Sequence, residues 1–284
     1  MDSICIVTDN SAQFANTSFR GQSIVKIIHL RSCLHNELHE GKEKHILATM
    51  PEFVSGDLDP RLLAPSVEEF RQLFSRLGNQ YNEIIGIFLS AHLSDCYENA
   101  RKANMILRGG PKIQIIDSQT ASIGLGNMVQ QAAETVFNNG RLTDVERGFR
   151  SLSHRTYVLF CTPNLSYLCN NGFVDHAQAT AGEMTGIYPL FSLEEGKLVP
   201  VEKKRNPRHV IVHFQEFIDE FDTFDHIALV QSVNSKGNEA RLIRDHVHDN
   251  FPKTTFTEHS LNLPLATLFG PGASALIIIE KNTN

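Results

Sequence analysis

The stretch from Ile113 to Val136, IQIIDSQTASIGLGNMVQQAAETV, decides how this chain folds. Ile113, Ile115 and Ile116 form an apolar run that predicts a buried strand, and Asp117-Ser118 ends it. Ser122, Gly124 and Gly126 follow, and Leu125, Met128, Val129, Ala132, Ala133 and Val136 recur at helical spacing. A strand, a turn of small residues and a helix make the turn of a βα unit. Such turns lie at the carboxyl edge of a parallel sheet, where α/β proteins take their ligands. A helix start offers unpaired N–H groups and the positive end of a dipole, which suit a phosphate or a carboxylate. A structural role stands beside this: Asp117 or Ser118 as helix cap, Gly124 and Gly126 for close helix–sheet packing. The glycine spacing is not G-x-G-x-x-G and no Gly-Lys-Ser/Thr follows, so neither a dinucleotide fingerprint nor a P-loop is present.

Upstream the same alternation repeats. Ile4 to Val7 predicts a first strand, followed by Thr8-Asp9-Asn10-Ser11 at the same sheet edge. Ile24 to Leu34 is strand-like. The polar HNELHEGKEKH after it suits a solvated hairpin or loop; the order H-N-E-L-H is not H-E-x-x-H, so no metal site is expected. Ser55 to Pro65 is a loop. Ser66 and Glu69 then form a capping box for a helix that buries Phe70, Leu73, Phe74 and Leu77 and stops at Gly78-Asn79. Glu83 to Ser90 is a buried strand, and Ala91 to Asp95 lead into a helix ended by Gly109-Gly110-Pro111. Leu142 to Leu152 is a further helix, with Thr143 and Glu146 as its capping box. Apolar strands alternating with amphipathic helices predict a parallel, Rossmann-like α/β domain over residues 1–151.

From residue 152 the rhythm changes. Tyr157–Cys161 is a strand, Leu165–Leu168 a short helix and Ala177–Thr185 another. Ile187–Ser192 and Lys197–Val201 form a hairpin, a helix runs to Phe221, and Ile227–Val230, Glu239–Asn250 and Thr254–Thr257 read strand, helix, strand. Leu268 to Gly272 is a sharp turn before a last strand, Ala275–Ile279. Hairpin and crossover strands together predict a second α/β domain with a mixed sheet over residues 152–284.

Composition bounds the function. The 284 residues carry a net charge of -6 with scattered Lys and Arg, which excludes a basic nucleic-acid surface. The start, MDSICIVTDN, has no basic segment followed by an apolar one, and no apolar run approaches membrane-spanning length. Five widely spaced cysteines without a C-x-x-C fit reduced thiols in a cytoplasm. The 18 phenylalanines suit a core or a long apolar cavity.

In this order the chain resembles the DegV family of bacterial fatty-acid-binding proteins over nearly its whole length. The resemblance rests on Thr8-Asp9, on Ala64-Pro65-Ser66 with Glu68, Glu69 and Phe70, and on Leu89 to Tyr97, LSAHLSDCY. It rests also on Asp117-Ser118 with Gly124-Leu125-Gly126, Tyr167-Leu168 with Asn171-Gly172, on Ile187, Pro189, Gly196 and Arg205, and on Gly270-Pro271-Gly272. It implies a fatty acid buried between two domains, a carrier without catalytic residues, cofactor or metal, and a kinase subunit that receives the bound acid. Peripheral contact with a membrane is a further expected partner surface. The binding residues it implies are Leu62, Ser66, Ser94, Asp95, Ser118, Phe173, Arg205, Leu268 and Gly270, with the head group near Ser94.

Here the chain departs from the family pattern. Leu62 stands where the family has a head-group Thr, Asp95-Cys96 where it has Gly-Thr, Phe173 where it has Arg, and Leu268 where it has His. A buried carboxylate needs donors, which Leu62 and Leu268 cannot supply; Ser94, helix N–H groups and Ser66 can. An ionised Asp95 nearby would repel it. Two alternatives therefore remain beside the lipid carrier. One is an interaction protein on the same fold with a collapsed cavity. The other is a phosphoryl-transfer enzyme using Asp9, Asp95 and Asp117 as acid/base or Mg²⁺ ligands.

Overall fold

The computed structural model describes residues 4–40, 44–54, 59–232 and 238–282. Its elements begin with β1 (Ile4–Asp9), β2 (Val25–Ile28), β3 (Arg31–Leu34), β4 (Glu37–His39), α1 (Lys44–Thr49) and β5 (Arg61–Leu63). They continue with α2 (Val67–Gly78), β6 (Glu83–Phe88), α3 (Cys96–Ile106), β7 (Lys112–Asp117), α4 (Ser122–Phe137), α5 (Leu142–Ser153) and β8 (Thr156–Cys161). Then come α6 (Leu165–Asn170), α7 (His176–Met184), β9 (Tyr188–Glu194), β10 (Lys197–Lys204), α8 (Pro207–Asp219) and β11 (Phe224–Gln231). The last are α9 (Asn238–Asn250), β12 (Thr255–Ser260), α10 (Leu263–Phe269) and β13 (Ser274–Glu280). They pack as two compact units. Unit 1 holds the described parts of 1–31, 63–154 and 195–197; unit 2 holds those of 32–62, 155–194 and 198–284.

Unit 1 is built on a four-stranded sheet in the order β2-β1-β6-β7, parallel throughout. Every residue of β1 is buried, as a strand covered on both faces requires. Phe88 of β6 meets Phe70 of α2 edge-on at 5.3 Å, so Phe88, its register partner Asp117, and Asp9, two residues on from Val7 as Phe88 is from Val7's partner Gly86, point to the α2 face. The alternate residues, Thr8 among them, point to the other face, where α4 packs on β1 and β6. α2 starts as expected, on the reciprocal Ser66–Glu69 box. Two expected caps are corrected. α5 starts with the Asp144 carboxylate accepting the Arg141 N–H at 2.9 Å, two residues ahead of Thr143 and Glu146. α4 follows Ala121, which has no capping side chain; Asp117 bonds to Gln119 and Ala91 and Ser118 to Thr120 instead. Gly126 does serve close packing, because a Cβ there would lie 1.8 Å from the Gln13 carbonyl oxygen.

Unit 2 is built on a six-stranded sheet, β10-β9-β8-β13-β11-β12, in which β11 and β12 run parallel while β8–β9, β8–β13 and β11–β13 are antiparallel. Leu159, Leu190, Ile227, Leu229, Leu276 and Ile278 of its strands are buried with Val210, Ile211 and Phe214 of α8 and Ile243 of α9. Each such side chain contributes about 1.5–3 kcal/mol on leaving water. Phe160, between Leu159 and Cys161, points the opposite way, stacks on Phe191 at 5.2 Å and meets Phe269 at a tilt at 4.7 Å.

The predicted strand Ile24–Leu34 divides into β2 and β3. The Asn10 side chain causes the break: it accepts the Leu30 N–H at 2.8 Å and donates to the Leu30 carbonyl at 3.2 Å, so that residue leaves the ladder. The His-rich segment is a hairpin, β3–β4, turned on His35 and Asn36 at positive φ, as a two-residue hairpin demands. Gly41, and residues 55–58 of the expected loop, lie outside the described residues. β5, α1 and α10 occur where no element was predicted.

Candidate functional site

In unit 1 the loops after β1, β6 and β7 meet at the carboxyl edge of the sheet. Asp9 closes β1 and is wholly buried. Its carboxylate accepts the Ser11 N–H at 2.9 Å, the Ser11 hydroxyl at 2.5 Å and the Leu89 N–H at 2.7 Å. Burial pushes its pKa up, against the pull of those hydrogen bonds. Asp117 accepts the Ala91 N–H at 3.1 Å and the Gln119 N–H at 3.0 Å. Both carboxylates thus clamp one loop to the next. Among the described residues no group of three or more His, Cys, Asp or Glu is placed to hold a metal ion.

The nominated hydroxyls differ in availability. Ser118 is buried; it donates to the Thr120 carbonyl at 3.1 Å and accepts the Thr120 N–H at 3.3 Å. Ser66 is exposed and committed to Glu69, which it both serves and is served by. Ser94 is half-buried, and its hydroxyl accepts the Cys96 N–H at 3.3 Å at the start of α3. Asp95 is exposed, caps nothing with its side chain and accepts the Asn99 N–H through its backbone. Ser90, not singled out by the sequence, is more central: its buried hydroxyl donates to the Gly196 carbonyl at 2.8 Å and accepts the His92 N–H at 3.2 Å. A Cβ on Gly196 would stand 2.4 Å from that hydroxyl.

In unit 2 one amide draws two nominated positions together. Asn171 accepts the half-buried Leu62 N–H at 3.0 Å and donates to the Thr267 carbonyl at 2.9 Å, beside Leu268. Leu268 is 1% exposed, so it is packed core rather than a surface contact. Gly270 holds φ +88°, and a Cβ there would strike the Asn164 side chain, whose amide donates to the Glu52 carbonyl and whose oxygen accepts the Gly272 N–H. Phe173 is half-buried behind α6, its N–H bonded to the Leu168 carbonyl at 2.8 Å, and Arg205 is exposed after β10. A cavity of about 420 Å³ opens beside α8, with Cys161, Tyr188 and Ile211 in its wall; none of the nominated residues lines it. Leu62, Leu268 and Gly270 thus gather around α6, while Arg205 stands on the joint between β10 and α8.

The chain is similar in sequence to a DegV domain-containing protein of Staphylococcus aureus (strain COL), with 27% identity over 237 residues, 82% of this chain and 84% of the relative. In structure it is similar to a DegV family protein from Thermus thermophilus described for its fatty acid binding, with TM-score 0.81, 21% identity, and 98% and 100% of the two chains covered. It is also similar to the Streptococcus pneumoniae fatty acid kinase (Fak) B3 protein loaded with linoleic acid, with TM-score 0.83, 14% identity, and 98% and 100% covered. The family model described as "Uncharacterised protein, DegV family" matches residues 3–281, and this chain therefore belongs to the DegV family.

Proposed function

We propose that this protein is a carrier that binds one long-chain fatty acid, or a similar amphiphile, without turning it over, the head group lying near Ser94. The observation that carries this is the whole-length likeness to DegV proteins described as fatty-acid-binding or loaded with a fatty acid. Ser94 supports it as a half-buried hydroxyl on the loop after β6. The half-buried apolar side chains Leu62 and Phe173 are suited to an acyl chain. The enzyme alternative loses ground because both Asp9 oxygens and one Asp117 oxygen already accept hydrogen bonds within these loops. A kinase subunit is the partner this carrier would serve, and the site is a cytoplasmic one with free thiols; among the described residues no helix is long and apolar enough to cross a membrane. The interaction-protein alternative keeps one specific support, the near-complete burial of Leu268.

Native mass spectrometry of the purified protein, followed by extraction and lipid identification, tests the proposal. A stoichiometric fatty acid is the expected result. An empty protein that also takes up no added fatty acid would overturn it in favour of the interaction protein.

A further inference from the structure

The start of α4 lacks what a helix start normally has. The first N–H groups of a helix have no intrahelical acceptor. Ala121 supplies no side chain to them, the Ser122 hydroxyl turns away to Gln13 Oε1 at 2.8 Å, and no acidic residue stands in the first turn. Ser122, Ile123 and Gly124 are buried, so water does not freely replace the missing cap.

Two further groups are left unpaired in the same region of unit 1. Thr120 immediately precedes Ala121. Its N–H is held by Ser118 Oγ and its carbonyl by the Ser90 N–H, at 3.3 and 3.1 Å. Its hydroxyl is shielded from solvent and has no hydrogen-bond partner, and the residue is 3% exposed. The Thr8 hydroxyl is likewise buried and unpartnered, on the sheet face covered by α4. Buried polar groups are normally paired, because desolvating one without a partner is costly. One orphan hydroxyl next to an uncapped, acid-free helix start, and a second on the sheet face that this helix covers, therefore describe donors awaiting an acceptor, and the positive end of the helix dipole makes that acceptor an anion.

We propose that the start of α4, with the hydroxyls of Thr120 and Thr8, holds the carboxylate of the bound fatty acid. This rests on the fatty-acid reading and names the head-group donors within it. The place agrees with a head group near Ser94, since the Ser94 N–H bonds to the Ser90 carbonyl at 3.1 Å and the Ser90 N–H to the Thr120 carbonyl. Ser118, by contrast, spends its hydroxyl on Thr120 and acts as a positioning residue for it.

The test compares oleic acid with oleyl alcohol, which share a chain and differ in head group, as displacers of bound cis-parinaric acid from delipidated protein. Thr120→Val removes the hydroxyl at constant shape. It is expected to lower the acid-to-alcohol affinity ratio about tenfold, as loss of a hydrogen bond to a charged group does. Thr8→Val is expected to move the ratio the same way, and Thr120→Ser to restore it. Near-UV circular dichroism verifies folding, and Thr8→Val carries the comparison if Thr120→Val does not fold. A ratio unchanged in the valine variants overturns the α4 assignment alone. A wild-type protein that takes up neither lipid overturns the fatty-acid reading, and this inference with it.

Discussion

At the scale of residues, single side chains of unit 2 hold several backbone groups at once. Asn171 is the clearest: one amide satisfies Leu62, Thr267 and Tyr167. Asn171→Ala leaves a half-buried N–H and a carbonyl without partners, a cost of about 2–6 kcal/mol at 1–3 kcal/mol for each such group. Urea unfolding should show that loss; a change below about 0.5 kcal/mol, the size of an ordinary surface substitution, would show that water replaces the amide. Gly270→Ala should cost at least about as much, because φ +88° with ψ 155° is a region open to glycine and the new Cβ meets Asn164. Both residues stood in motifs read from the sequence, but their work could not be read there, since Asn171 and Leu62 are 109 positions apart. The same limit explains the hydroxyls. Asp117-Ser118 and the helix start after it marked the right edge of the sheet, yet which hydroxyl stays unpaired depends on a count of hydrogen bonds that only the folded loop supplies. That count leaves Thr120 and Thr8.

Among elements, legibility followed length and amphipathicity. β1, α2, β6, α3, β7 and α4 each present a clear period, and all were expected. α10 was not, because every one of its seven residues is buried and a helix apolar all round has no stripe to detect. Its local signals, Asn262 as cap and Pro264 in the first turn, stand in LNLPLATLF directly before the stronger signal of the glycine turn. β5 has three residues, too few for any period. Neighbouring elements also create chemistry that neither shows alone. On β11 and β12, His226 and His259 both contact the Thr257 hydroxyl through Nε2, at 2.7 and 2.9 Å. Burial and the charge of His259 push the His226 pKa down from 6.5 to about 4, and burial lowers that of His259. A histidine whose pKa is lower in the folded state favours folding in its neutral form. Its contribution is complete above pH 6.5 and is lost as pH falls toward 4. Stability should therefore drop by up to about 3 kcal/mol across that window, and His226→Gln should flatten the drop. Denaturant melts at pH 7, 5.5 and 4.5 check this; equal slopes in the two proteins would remove His226 as the cause.

At the scale of the whole molecule, the sequence reads as two successive domains, but the units interleave. Residues 32–62 precede most of unit 1 in the chain and pack in unit 2. A change of rhythm near residue 152 marks where one run of elements gives way to another; it carries no sign that an earlier excursion has already joined the later unit. The contacts of that excursion are specific. The Tyr167 hydroxyl donates to the Pro51 carbonyl at 2.5 Å, Asn164 to Glu52 at 2.6 Å, Asn170 to Asp59 at 2.8 Å, and Thr267 to the Ser32 hydroxyl at 2.7 Å. Leu47 and Met50 are buried, and α1 packs on α10. Removing the segment strips α6 and α10 of these partners and uncovers apolar side chains worth about 1.5–3 kcal/mol each. Domains are stable by only about 5–15 kcal/mol, so a handful of such losses is decisive. A fragment of residues 152–284 should therefore lack a cooperative thermal transition and a dispersed amide spectrum. Joining residues 32–62 to it through a flexible linker should restore both. Cooperative unfolding of the bare fragment would show instead that α6 and α10 fold on the six-stranded sheet alone, and that residues 32–62 are a cover laid on a finished core.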